Sequence, residues 1–114
     1  MAYLRVLRIW QWTKNLIIFV PVVLSKSLSF EIFYETLILF FLFSLFVSGT
    51  YIFNDIKDIN LDSQHPEKSK RPIASKAISL SNAKRLGVAL LTFSLIIVFL
   101  FFDYIIFFLF IGYL

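Results

Sequence analysis

Apolar residues fall in four runs separated by short polar stretches. The clearest, Thr36–Phe53, holds 18 residues without a charge, enough for a membrane-spanning helix over about residues 36–53. Leu86–Phe102 is also uncharged and predicts a span over about 82–102, with Ser79 or Ser81 as its N-cap. Leu16 to about Phe30 is shorter. It reaches spanning length if its helix starts near Trp12, giving a span over about 15–30 with a bend at Pro21. Glu31 and Glu35 mark a turn after it. Beyond Asp103-Tyr104 a fourth run covers 105–114, too short to cross, so the chain reads as stopping inside a helix. The pattern predicts an all-α integral membrane bundle of about three complete transmembrane helices and the start of a fourth.

Composition agrees with that reading. The chain has 114 residues, is 60% hydrophobic and contains 15 Phe, far too apolar for a soluble domain of this size. It lacks cysteine, which excludes disulfides and thiolate metal sites. A net charge of +4 in so apolar a chain points to the membrane rather than to nucleic acid, because Lys and Arg are retained on the cytoplasmic side. Three cations lie in residues 1–14 and seven between Lys57 and Arg85. Only Lys26 falls between the first two spans, so ten of 11 share one side if the N-terminus is cytoplasmic. Residues 1–14 interleave Arg5, Arg8 and Lys14 with Tyr3, Trp10 and Trp12, the composition of an interfacial segment. Trp10 and Trp12 then serve as interface anchors. No small-x-small site follows the first apolar run, so a cleaved signal peptide is not indicated.

Candidate chemistry is concentrated where the second span meets water, in a cytoplasmic stretch over 54–81. If the helix continues through Asp62, then at about 100° per residue Asn54, Asp58, Asp62 and Asp55 fall at roughly 0°, 40°, 80° and 100°. Three carboxylates and an amide oxygen would share one face. Like charges at that spacing repel, and a divalent cation would relieve the repulsion. Oxygen-only donors suit Mg²⁺, which keeps several waters and bridges to substrate phosphates. The plainer alternative is a solvated, acidic helix end. Residues 63–80, broken by Pro66 and Pro72, form a basic aqueous loop.

The pattern Asn-Asp-x-x-Asp-x-x-x-Asp after a second membrane helix resembles the first acidic motif of the UbiA superfamily of intramembrane prenyltransferases. Two flanking stretches, Gln11-Trp12-Thr13-Lys14-Asn15 and His65-Pro66-x-Lys68-x-x-Arg71-Pro72-Ile73-Ala74-Ser75, resemble its phosphoribosyltransferase branch. That likeness covers most of residues 5–100. It implies an enzyme of about nine membrane helices with a second acidic motif further along. The implied donor is phosphoribosyl diphosphate and the implied acceptor a polyprenyl phosphate such as decaprenyl phosphate; prenyl transfer from a prenyl diphosphate to an aromatic acceptor is the alternative. It further implies Asp55, Asp58 and Asp62 as catalytic metal ligands supported by Asn54. Lys14, Lys68, Lys70 and Arg71 become phosphate-binding candidates, although topology and snorkelling also account for such cations. His65, remote from any other ligand, reads as a loop residue. The family's usual Gly after Ala-Ser is Lys76 here. A small non-catalytic multispan protein is the rival class, but uncharged spans argue against a transport role.

Overall fold

The computed structural model describes residues 2–21 and 29–114. A short helix α1 (Ala2–Val6) leads into a 3₁₀ segment (Ile9–Phe19), followed by α2 (Phe30–Lys57) and α3 (Ile59–Ser63). A 3₁₀ turn (Lys68–Lys70), α4 (Leu80–Phe101) and α5 (Tyr104–Tyr113) complete the order. The described residues contain no strand. The architecture is an all-α integral membrane bundle, in which α2 and α4 are long and apolar enough to cross a membrane.

The long helix begins earlier than its uncharged run. Ser29 caps α2 by accepting the Ile32 N–H at 3.1 Å, so Glu31 and Glu35 belong to its first turns rather than to a loop. A carboxylate in the first turn also favours the helix dipole. Ser79 caps α4 by accepting from the Asn82 N–H at 3.2 Å, and Asp103 caps α5 through the Ile105 N–H. Of the expected first span, residues 15–19 are 3₁₀ rather than α-helix and Phe30 already belongs to α2; residues 22–28, and with them Lys26, lie outside the described residues.

Two glycines let α2 and α4 approach closely. A Cβ on Gly49 would meet Leu91 at 3.0 Å, and one on Gly87 would meet Phe53 at 2.8 Å. Rising numbers on one helix meet falling numbers on the other, so the pair is antiparallel. Leu42, Phe46, Val98 and Phe110 fill one end of the interface. The other end is closed by Val6, Ile52, Ile73, Ile78 and Ala83. The second cluster matters most for the site. Ile73 and Ile78 come from the basic loop and are 3% exposed, each contributing about 1.5–3 kcal/mol by leaving water. They pin the loop over the helix ends.

The molecule is 49 Å long, against about 30 Å for a hydrocarbon core. The loop and the acidic motif lie together at one end of the bundle.

Candidate functional site

The acidic motif does not continue as one helix. The α2 helix stops at Lys57, Asp58 takes φ −96° and ψ 13°, and α3 restarts at Ile59. Asn and Asp compete with the backbone for hydrogen bonds and hold helices poorly, and successive carboxylates add repulsion. The four side chains are not equally sheltered. Asp55 and Asp62 are buried, at 4% and 3% exposure. Asn54 is exposed and Asp58 half-buried. Asn54 and Asp55, neighbours on α2 about 100° apart, open into different clefts: Asp55 into one, and Asn54 into another beside Thr50, Tyr51 and Tyr113.

Guanidinium groups bring the two buried aspartates together. Arg8 donates to Asp55 Oδ1 and lies over the Tyr51 ring, 4.5 Å from its centroid. Arg71 reaches Asp62 Oδ2 at 3.2 Å and Asp55 Oδ1 at 3.5 Å. Carboxylates this deeply buried require such partners, since an unpaired buried charge is very costly. The cluster balances two anions against two cations. Among the described residues, no three Asp, Glu or His side chains gather closely enough to hold a metal ion. The donor chemistry still suits a hard cation, because Mg²⁺ commonly takes one or two protein carboxylates and completes its shell with water and phosphate oxygens.

Each arginine is placed by its neighbours. Pro72 and Ile73 are buried directly after Arg71. The loop closes on itself through Ser75 N–H to Arg71 O at 2.8 Å and Ile78 N–H to Pro72 O at 3.2 Å. Arg8 precedes the 3₁₀ segment, which is hydrogen-bonded to α2. Trp12 Nε1 donates to Ser48 Oγ at 2.9 Å, and Ser48 Oγ donates to Leu7 O at 2.6 Å. Asn15 Nδ2 donates to Ser44 Oγ at 3.1 Å. Trp12 is thus a docking residue and not an interface anchor, whereas Trp10 is 60% exposed. Arg8 itself sits at φ 54°, a left-handed conformation that non-glycine residues rarely hold except where the surroundings impose it.

A cleft of about 450 Å³ opens above this cluster. Arg5, Arg8, Lys70 and Arg71 supply its cations, and Asp55 and Glu67 its carboxylates. Lys14 and Lys68 are exposed and do not line it. His65 Nδ1 accepts from the Glu67 and Lys68 N–H groups, each at 3.1 Å, so the imidazole serves the loop. Arg5 and Arg8, read from sequence only as topology cations, are the residues that reading missed. Their trace was indirect: Ser44 and Ser48 are one turn apart in an apolar span, facing the segment that follows Arg8.

A family model described as "UbiA prenyltransferase family" matches residues 16–114. The chain is 32% identical over 100 residues to a decaprenyl-phosphate phosphoribosyltransferase of Corynebacterium glutamicum, covering 85% of this chain and 30% of that protein. It is 43% identical over 81 residues to the uncharacterized protein y4nM of Sinorhizobium fredii, covering 70% of this chain and 16% of that one. It is 34% identical over 79 residues to the nodulation protein NoeC of Azorhizobium caulinodans, covering 69% and 26%. The chain therefore spans less than a third of the length of these relatives. No solved structure matches it.

Proposed function

The chain belongs to the UbiA prenyltransferase family, and on that premise we propose that the protein is a membrane transferase moving phosphoribose onto a polyprenyl phosphate. The donor is phosphoribosyl diphosphate, and the acceptor is a lipid such as decaprenyl phosphate. The observation that carries the reading is the ion-pair cluster of Arg8, Asp55, Arg71 and Asp62, of which Arg8, Asp55 and Arg71 line one cleft. It draws the acidic motif together with Arg71 of the His65–Ser75 stretch and with Arg8, which lies three residues before the Gln11–Asn15 stretch.

In this reaction the bond from the sugar's C1 to the diphosphate oxygen breaks, its electron pair leaves with the diphosphate, and an acceptor phosphate oxygen bonds to C1. Negative charge grows on the leaving group, and fixed cations stabilise it most where water is scarce. Arg71 and Arg8 are placed to do so, Arg71 with a planar donor fork suited to phosphate. When bound, Mg²⁺ supplies further positive charge to the leaving diphosphate. Asp55 and Asp62 are the carboxylates that would hold it; Asp58 and Asn54 belong to the proposed donor set on the motif alone. The cluster and the N-terminus face the cytoplasm on the distribution of Lys and Arg, where a water-soluble donor reaches a lipid acceptor.

The family's own description favours a second reading, prenyl transfer from a prenyl diphosphate to an aromatic acceptor. Membranes from cells expressing the complete coding sequence, given radiolabelled phosphoribosyl diphosphate and decaprenyl phosphate, are expected to form labelled lipid only with Mg²⁺. Label passing from a prenyl diphosphate into an aromatic ring, with none from phosphoribosyl diphosphate, overturns the ordering.

A further inference from the structure

Two layers of charge line the basic cleft, and only the inner one is balanced. There, Arg8 and Arg71 answer Asp55 and Asp62. Further out, Arg5 and Lys70 face the same space together with Glu67, and none of these three makes an ion pair among the described residues. Arg5 is fixed there by donating to the Lys70 carbonyl at 2.7 Å, which ties α1 to the 3₁₀ turn and keeps both residues on the same cleft. Two exposed cations against the single carboxylate of Glu67 leave the outer layer net positive, and an anionic ligand is favoured there. A volume of about 450 Å³ lies within the range of small-molecule sites.

We propose that Arg5 and Lys70 form a second anion subsite, which takes a phosphomonoester on the ligand whose diphosphate lies at the inner layer. This deepens the reading above and rests on it. A sugar donor with a diphosphate at one end and a phosphate at the other matches a cleft with two cationic layers. A prenyl diphosphate has one anionic end and an apolar tail, which a rim of Arg and Lys does not favour. The outer pair thus selects between donor classes and is distinct from the carboxylate cluster.

Binding to the full chain in phosphatidylcholine nanodiscs, measured by calorimetry with Mg²⁺, tests this with two probes: phosphoribosyl diphosphate and inorganic pyrophosphate. Arg5→Gln and Lys70→Gln should each weaken phosphoribosyl diphosphate about tenfold, the loss of one charge-assisted contact, and leave pyrophosphate within about twofold. Arg5→Lys should restore part of the loss. Lys70→Gln leaves the backbone carbonyl that holds Arg5 in place, so its effect is separable from local unfolding. Equal weakening of both probes, or of neither, overturns the subsite while leaving the donor assignment standing. Failure of the unaltered chain to bind phosphoribosyl diphosphate, with binding of geranyl diphosphate, overturns both. In nanodiscs containing phosphatidylglycerol, phosphoribosyl diphosphate binding should persist; if both substitutions alter only retention of that lipid, the anion is a headgroup and the proposal fails.

Discussion

Replacing Arg8 by Leu should expose how far the buried carboxylate depends on it. The Asp55 side chain is 5% exposed and that of Arg8 15%, so their attraction is poorly screened. Removing one member of a buried pair ordinarily costs about 3–5 kcal/mol. Arg71 remains within 3.5 Å of the same oxygen and offsets part of this, which sets the expected loss at about 2–3 kcal/mol. The stacking of Arg8 on Tyr51 adds to that loss by about 0.5–1 kcal/mol. A double-mutant cycle with Asp55→Leu separates the two, since the stacking vanishes in both the Arg8 single and the double variant. The assay is reversible unfolding in mixed detergent micelles, followed by far-UV circular dichroism. The double variant should cost at least about 1.5 kcal/mol less than the two singles together, because an apolar pair strands no charge. Additivity within about 0.5 kcal/mol would refute the pairing.

Three other outcomes follow from the packing. Ser48→Ala should cost about 1–3 kcal/mol in the same assay, because it leaves the Trp12 N–H and the Leu7 carbonyl unpaired together; Trp12→Phe, which removes only a donor, should cost less, and the reverse order would contradict the docking. Lys76 holds φ 64°, so Lys76→Gly should raise stability by about 0.5–1 kcal/mol despite the added freedom of the unfolded chain; a loss of stability would show that the turn is unstrained. Gly87→Ala should destabilise by about 1–2 kcal/mol through the contact with Phe53, whereas Gly112→Ala, with nothing within 4 Å of the added Cβ, should not. Equal melting shifts for the two alanines would speak against the close approach of α2 and α4.

Membrane helices are the most legible part of such a chain, because their signal is local. The uncharged runs of α2 and α4 and the cap at Ser79 can each be read within a few residues. What was not legible depends on partners far along the chain. Asp55 and Asp62 stay on one side, as their helical spacing expects, but the Arg71 that joins them lies outside the acidic motif, nine residues beyond Asp62. Arg8 meets Asp55 across 47 positions, and from sequence it is indistinguishable from any cation on the cytoplasmic side. The start of α2 differs from the sequence expectation for a simpler reason: Glu31 and Glu35 interrupt the apolar run, but carboxylates are welcome in the exposed first turns of a helix. Lys76 is an intermediate case. The resemblance implies Gly at this position, a residue that suits positive φ, and the chain adopts that backbone with a lysine.

Each charged group of the cluster is placed by an anchor close to it in the chain. Pro72 and Ile73 are sunk in the core so that Arg71 stays at the rim, and Trp12 and Asn15 are bonded to serines of α2 so that Arg8 stays over Tyr51. Ile52, buried one turn before Ile56 on the same helix, does the same for Asp55. Because the anchors are apolar or neutral, the charges can be exchanged without unmaking the fold. Such exchange is what the proposed chemistry requires. A diphosphate brings several negative charges to a cluster that is already neutral, so it cannot settle there unless added cations accompany it or guanidinium groups turn from carboxylate to phosphate. Both routes need Asp55 and Asp62 to keep a positive partner throughout, since either one left alone in a site this buried would cost more than a phosphate contact returns.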